Sequence, residues 1–238
     1  MSDVVVERKG EVAWLRLNRP ERMNSYDAAM AQELIAAIQA SADAGVIVIT
    51  GTGRAFCAGG YLANLSNPDA NALRSMFYGS LHLYDAIRTS PRPVIAAVNG
   101  PAAGGGNELV IACDMAIAGE DAVFGEPEVR FGSGIVAMVL PWMVAPKHAK
   151  DILLTGNDQI TAMRAAEIGL VTETVWEGRH VERAFEKARE IAAAAPLSVE
   201  LTKRAINRSF DIRGMRNALL AAVETDIVIE TSGGAERA

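Results

Sequence analysis

The stretch from Pro93 to Gly132 limits the possible folds more than any other part of the chain. Its first run, Val94–Val98, is wholly apolar and ends at the turn pair Asn99-Gly100. Three consecutive glycines follow, Gly104, Gly105 and Gly106, and then Glu108 in what reads as the first turn of a helix. A short buried strand that feeds a glycine loop and then a helix points to an α/β core. A second carboxylate, Glu128, stands twenty positions beyond Glu108 in the turn Gly125-Glu126-Pro127-Glu128.

These elements can make one chemical site. Glycine has no Cβ, so a ligand oxygen can approach its main chain, and positive φ is open to it. A helix starting at Gly105 directs unpaired N–H groups and the positive end of its dipole at that oxygen. Donors of this kind stabilise an oxyanion, and losing one typically costs about 3 to 4 kcal/mol of transition-state stabilisation. Glu108 and Glu128 would then divide proton donation and acceptance. Each feature also has a plainer reading. Glycines permit close helix–strand packing, Glu108 suits the helix dipole, and Glu128 can be a solvated surface acid. No Gly-Lys-Ser/Thr follows the glycines, which excludes a nucleotide-binding P-loop. A second glycine-bearing loop, residues 51–60, follows the apolar run of residues 46–50, and strand C-termini are where open α/β sheets hold ligands. Its Cys57 has no basic neighbour in sequence to activate a thiolate.

With 238 residues, half of them hydrophobic, the chain can bury a full core as one large domain or as a domain with a helical appendage. A net charge of −6 and the lack of a basic stripe argue against a nucleic-acid partner. No apolar stretch reaches the roughly 18 residues of a membrane span, and MSDVVVERKGEVAWL carries no secretory pattern, so no membrane partner is expected. Cys57 and Cys113 lack metal-ligand spacing and read as free thiols of a cytoplasmic protein. His82, His148 and His180 fall in helical stretches without ligand spacing, and no metal site is expected.

Residues 4–7 and 12–18 flank Lys9-Gly10 as a hairpin. Ser25 is placed to cap a helix over residues 26–40, with Met30, Leu34, Ile35 and Ile38 on one face. The pattern predicts a longer helix within residues 69–89, short strands at 115–118 and 122–124, and a later strand at 169–175. Two or three amphipathic helices follow between residues 182 and 229, broken near Pro196 and Gly214. The letters show no fixed-period repeat. The expected division is a core over residues 1–175 and a helical region over residues 176–238.

Together these residues resemble the crotonase superfamily, the enoyl-CoA hydratases and isomerases. The resemblance runs through LRLNRPERMNS, GRAFCAGG, PVIAAVNGPAAGGGNELVIACDMAIAG, FGEPEVRFG and LLTGNDQITAMRAAEIGLV, nearly the whole chain. It implies a spiral of repeated ββα units with a helical C-terminal region that forms trimers, often paired into hexamers. It also implies an acyl-CoA thioester substrate, with coenzyme A entering as part of that substrate and no resident cofactor. Matched residue by residue, the oxyanion hole falls on the backbone N–H groups of Gly60 and Gly105. The two acids of hydratases fall on Glu108 and Glu128, whereas isomerase-type members often keep only the second. Arg22 and Asn24, with main-chain atoms of Ala58, match the part that holds the CoA nucleotide.

Three departures stand out. Tyr61 occupies a position where hydratases usually carry Asp, as in members that process aromatic acyl groups. Residues 133–144, SGIVAMVLPWMV, replace the common Pro-Gly-Gly pattern and bring Ile135, Met138, Leu140 and Trp142 to the acyl pocket. The ending GGAERA lacks the family's aromatic-basic close, which helps to cover CoA. The resemblance thus implies water addition to, or removal from, an enoyl-CoA/3-hydroxyacyl-CoA pair. The alternatives are another reaction of the same enolate (double-bond isomerisation, C–C hydrolysis, decarboxylation or dehalogenation) or a non-catalytic acyl-CoA-binding subunit.

Overall fold

A computed structural model describes residues 2–60, 70–134, 138–176 and 178–232; Tyr61 and Ile135 lie outside the described residues. In chain order, β1 (Val4–Lys9) and β2 (Val12–Leu17) form the expected hairpin. They are followed by α1 (Ala28–Ala40), β3 (Val46–Gly51), α2 (Ala70–Thr89), β4 (Val94–Val98), β5 (Ala102–Ala103) and α3 (Gly105–Ala112). Next come β6 (Met115–Gly119), β7 (Val123–Gly125), α4 (Leu140–Met143), α5 (Pro146–Thr155), β8 (Ile160–Thr161), α6 (Ala162–Glu167) and β9 (Glu173–Val175). Helices α7 (His180–Ala192), α8 (Pro196–Ile212) and α9 (Met215–Thr231) end the described chain.

The large sheet has the order β1-β2-β3-β4-β6-β9, antiparallel between β1 and β2 and parallel elsewhere. A small sheet holds β5, β7 and β8. Successive turns of chain visit the large sheet, then the small one, then a helix: β4, β5, α3, and again β6, β7, α4. The turn before them does the same through Cys57, which bridges in parallel to Ala102, while Ala102 pairs in parallel with Phe124. This is the spiral of ββα units that the resemblance implies. The repeat lives in the backbone path and leaves no period in the letters.

The apolar strands are apolar at every position because both faces are covered. Ile47, Ile49, Val94, Ala96 and Val98 point into the main core. Val46, Val48, Ile95 and Ala97 alternate to the other face, where Ala184 and Ala188 of α7 meet them. Burial of each such Val or Ile contributes about 1.5 to 3 kcal/mol, and the two alanines let α7 approach closely. Met30, Leu34 and Ile38 of α1 are buried as their spacing predicts.

Two local expectations are corrected. The cap of α1 is Asp27, whose Oδ1 accepts from the Met30 amide at 3.0 Å, and Ser25 is buried before it. The strand expected over residues 169–175 shortens to β9, because Gly169, at φ 81°, turns the chain as α6 ends. The centre of the fold tolerates no side chain at Gly106, where a Cβ would collide with the main-chain carbonyl of Cys57. Gly106→Ala is expected to destabilise the protein by about 1 to 3 kcal/mol, the usual range for overpacking. A shift of the urea midpoint at constant slope would register it, and an unchanged midpoint would refute the close packing.

Candidate active site

Two loops meet beside the N-terminus of α3. The first, residues 51–60, is pinned by two asparagines. Asn24 donates from Nδ2 to the carbonyls of Thr52 (2.9 Å) and Ala55 (2.8 Å), and its Oδ1 accepts from the Arg19 amide at 2.9 Å. Asn99 accepts from the Gly51 amide at 3.0 Å and donates to the Gly53 carbonyl at 2.9 Å. The Ala58 amide donates to the Met23 carbonyl, and the Tyr26 amide to that of Gly59, each at 3.0 Å. Gly60 is thereby brought against α3: a Cβ on Gly105 would stand 3.3 Å from the Gly60 nitrogen. Neither the Gly60 nor the Gly105 amide has an acceptor among the described residues. The structure therefore brings together two open N–H groups from separate turns.

Gly104 ties this turn to β7, its amide donating to the Gly125 carbonyl at 2.9 Å. Its backbone lies at φ 52°, ψ −127°, and a Cβ there would strike Oε1 of Glu128. Both constraints leave the position to glycine. The Glu128 carboxyl thus packs directly on the residue before Gly105.

Glu108, on the first turn of α3, is 1% exposed; Oε2 accepts from the Val139 amide at 3.4 Å and Oε1 has no partner among the described residues. Burial, and after it the charge of Glu128, hold its pKa well above the usual carboxylate range. Glu128 is half-buried in the 3-10 turn Glu128–Phe131, and burial pushes it up to about 7, with the nearby Asp226 of α9 adding to the rise. Asp226 is itself buried and pushed up to about 7, by burial and then by Glu230.

Sequence reasoning missed several neighbours. Glu126 is fully buried and accepts from Asn107 Nδ2 at 2.5 Å; burial, then Glu108 and Glu128, hold its pKa high. Glu126 left no signal in the sequence, because Pro127 is in the α region and Glu128 starts a 3-10 turn, so no strand period links the two acids. Tyr26 and Tyr84 are buried beside Gly105, their hydroxyls 2.7 Å apart. Asp226 reaches the site only because α9 folds back on residues 133–134, which no local pattern announces.

The remaining candidates fall as follows. Arg22 is exposed on the 3-10 turn Pro20–Arg22 and Ala58 is half-buried. Asn24, expected at the CoA site, has no exposed surface, and its side chain is spent on loop backbone; it shapes the place where Arg22 and Ala58 stand. Met138 and Trp142 are half-buried against the core, and Leu140 is fully buried. A cavity of about 600 Å³ is lined by Val139 and Met143 from this segment, with Tyr84, Ile111, Leu219 and residues of α8; Glu108, Met138 and Trp142 do not line it. Burial pushes the Cys57 thiol up to about 12, which removes it as a nucleophile.

A sequence model of the family described as Enoyl-CoA hydratase/isomerase matches residues 7–230. A putative enoyl-CoA hydratase of Thermus thermophilus is 40% identical over 208 residues, covering 84% of this chain and 82% of its own length. An (E)-benzylidenesuccinyl-CoA hydratase of Thauera aromatica is 37% identical over 214 residues, covering 85% and 81%. The crystal structure of an enoyl-CoA hydratase/isomerase from Xanthobacter autotrophicus Py2 superposes with a TM-score of 0.94 at 42% identity, over 98% of this chain and 88% of that one.

Proposed function

The chain belongs to the enoyl-CoA hydratase/isomerase family, and from that premise we propose that it adds water reversibly across the double bond of an enoyl-CoA. The observation that carries this reading is the convergence of two open amides, Gly60 and Gly105, with two carboxyls of raised pKa, Glu108 and Glu128. Around neutral pH such a couple holds one proton between its members. Its ionised carboxylate takes a proton from water as the water oxygen bonds to Cβ. The electrons of the double bond move onto the thioester oxygen, which the two amides hold as an enolate. The enolate collapses as Cα takes the proton of the other carboxyl. One proton enters the couple and one leaves it, so its proton count is unchanged, and a proton passing back between the two carboxyls restores the starting state.

Arg22 and the Ala58 main chain are assigned to the CoA nucleotide, and Met138 and Trp142 to the acyl wall. The exposed Leu197, Leu201 and Ile206 of α8 and Val228 of α9 support a trimer through the C-terminal helices. The test is incubation with a series of enoyl-CoAs, from crotonyl to aromatic, with product identification. A 3-hydroxyacyl-CoA is expected. A shifted double bond or cleaved chain without it, or tight binding without turnover on any ester, would replace this reading.

A further inference from the structure

Tyr26 touches both halves of the candidate oxyanion hole. Its amide donates to the Gly59 carbonyl at 3.0 Å, which fixes the peptide leading into Gly60. Its hydroxyl lies 2.7 Å from that of Tyr84, and Tyr84 donates to the Gly105 carbonyl at 3.2 Å. The direction of this chain is determined by its end. A carbonyl only accepts, so the single proton of Tyr84 goes to Gly105, and Tyr26 must donate to the Tyr84 oxygen. Burial raises both phenols far above neutral pH, so neither proton is lost under working conditions.

Both hydroxyls crowd the same spot: a Cβ on Gly105 would stand 2.5 Å from the Tyr26 oxygen and 3.2 Å from that of Tyr84. Tyr26 is itself rigidly placed. Asn24, two residues before it, is buried and clamped to the loop that ends in Gly60, and Asp27, directly after it, caps α1 and pairs with Arg19 at 2.8 Å. The loop before Gly60 and the helix that starts at Gly105 have no covalent link shorter than α2 and β4 between them. The two-tyrosine chain crosses that gap with hydrogen bonds.

We propose that Tyr26 and Tyr84 form a brace that sets the spacing of the Gly60 and Gly105 amides, acting as positioning residues for the thioester oxygen. The proposal rests on the oxyanion reading above but not on hydration as the outcome. An oxyanion hole depends on donors fixed in advance, and small misplacements are costly.

The experiment uses Tyr26→Phe, Tyr84→Phe and the double variant of the full chain. Bound cinnamoyl-CoA is the probe, because its absorbance moves to longer wavelength when the thioester carbonyl is polarised. Each single variant is expected to lose at least about half of the wild-type red shift and ~10- to 100-fold in kcat, while KM changes little. Because both tyrosines act in one chain, the double variant should be no worse than the poorer single one. Red shift and kcat within twofold of wild type in both single variants would overturn the brace. So would a double variant whose loss is the product of the two. A lowered melting temperature with an intact red shift would likewise show a purely structural role. The shift needs no turnover, so a protein that polarises the ester without forming a 3-hydroxyacyl product overturns hydration alone, and loss of the shift in the Phe variants would still support the brace.

Discussion

Glu108→Gln and Glu128→Gln are each expected to lower kcat for hydration by about 10²- to 10⁴-fold, the span typical of removing a general acid or base. KM should move far less, because the amides of Gly60 and Gly105 and the CoA contacts are untouched. Glutamine matches glutamate in size, and its side-chain carbonyl can still accept from the Val139 amide that reaches Glu108 at 3.4 Å. The loss is therefore of a transferable proton, not of packing. The two acids work as a couple, so the double variant should fall well short of the product of the singles. Initial rates across a pH series would check all three. The wild-type rate should depend on pH around neutrality, since burial pushes Glu128 up to about 7 and holds Glu108 well above the usual carboxylate range. Near-wild-type rates in either variant would sink the two-acid mechanism. If Glu108→Gln keeps its hydration rate while Glu128→Gln loses it, Glu128 carries the proton transfers alone.

The parts of this site that were legible in the sequence are those whose chemistry is local. Gly60, Gly105, Glu108 and Glu128 announce themselves through the absence of Cβ, a helix start and a turn, and the fold places them side by side. Apolar runs without alternation at residues 46–50 and Val94–Val98 correctly marked the strands Val46–Gly51 and Val94–Val98. What stayed hidden depends on distant chain segments. Tyr26 meets Tyr84 across 58 positions of sequence. Asp226 comes from the helix α9 and faces Gly134, where a Cβ would strike its carboxyl. Asn24 was placed at the CoA site by the resemblance, and only the folded loop shows both ends of its amide consumed. Of the small sheet only β7 was marked, because β5 and β8 are two residues long, too short for any period to show.

The same carboxyls should make the protein less stable as pH rises. Glu108, Glu126, Glu128 and Asp226 all bind their protons more tightly folded than unfolded, chiefly because burial disfavours the charged form. Stability from a raised carboxyl pKa is fully present below its ordinary value and is lost as pH climbs through the folded value. For Glu128 that window runs from 4.5 to about 7, and its proton is worth on the order of 3 kcal/mol. The ion-paired Asp3 and Asp27 have lowered pKa values and act only at more acid pH. His180, lowered by burial, works in the opposite direction. The clean comparison is therefore Glu128→Gln against wild type, in which His180 cancels. At pH 5 the two should unfold alike; at pH 8 the variant should be the more stable, with a melting temperature higher by roughly 5 to 10 °C. Thermal unfolding at pH 5, 6, 7 and 8 would show it. A constant difference between the two proteins across that range would mean that the Glu128 carboxyl is as well solvated folded as unfolded. In that event it could not hold a proton near neutrality for transfer to Cα, so a stability measurement made without substrate bears directly on the chemistry.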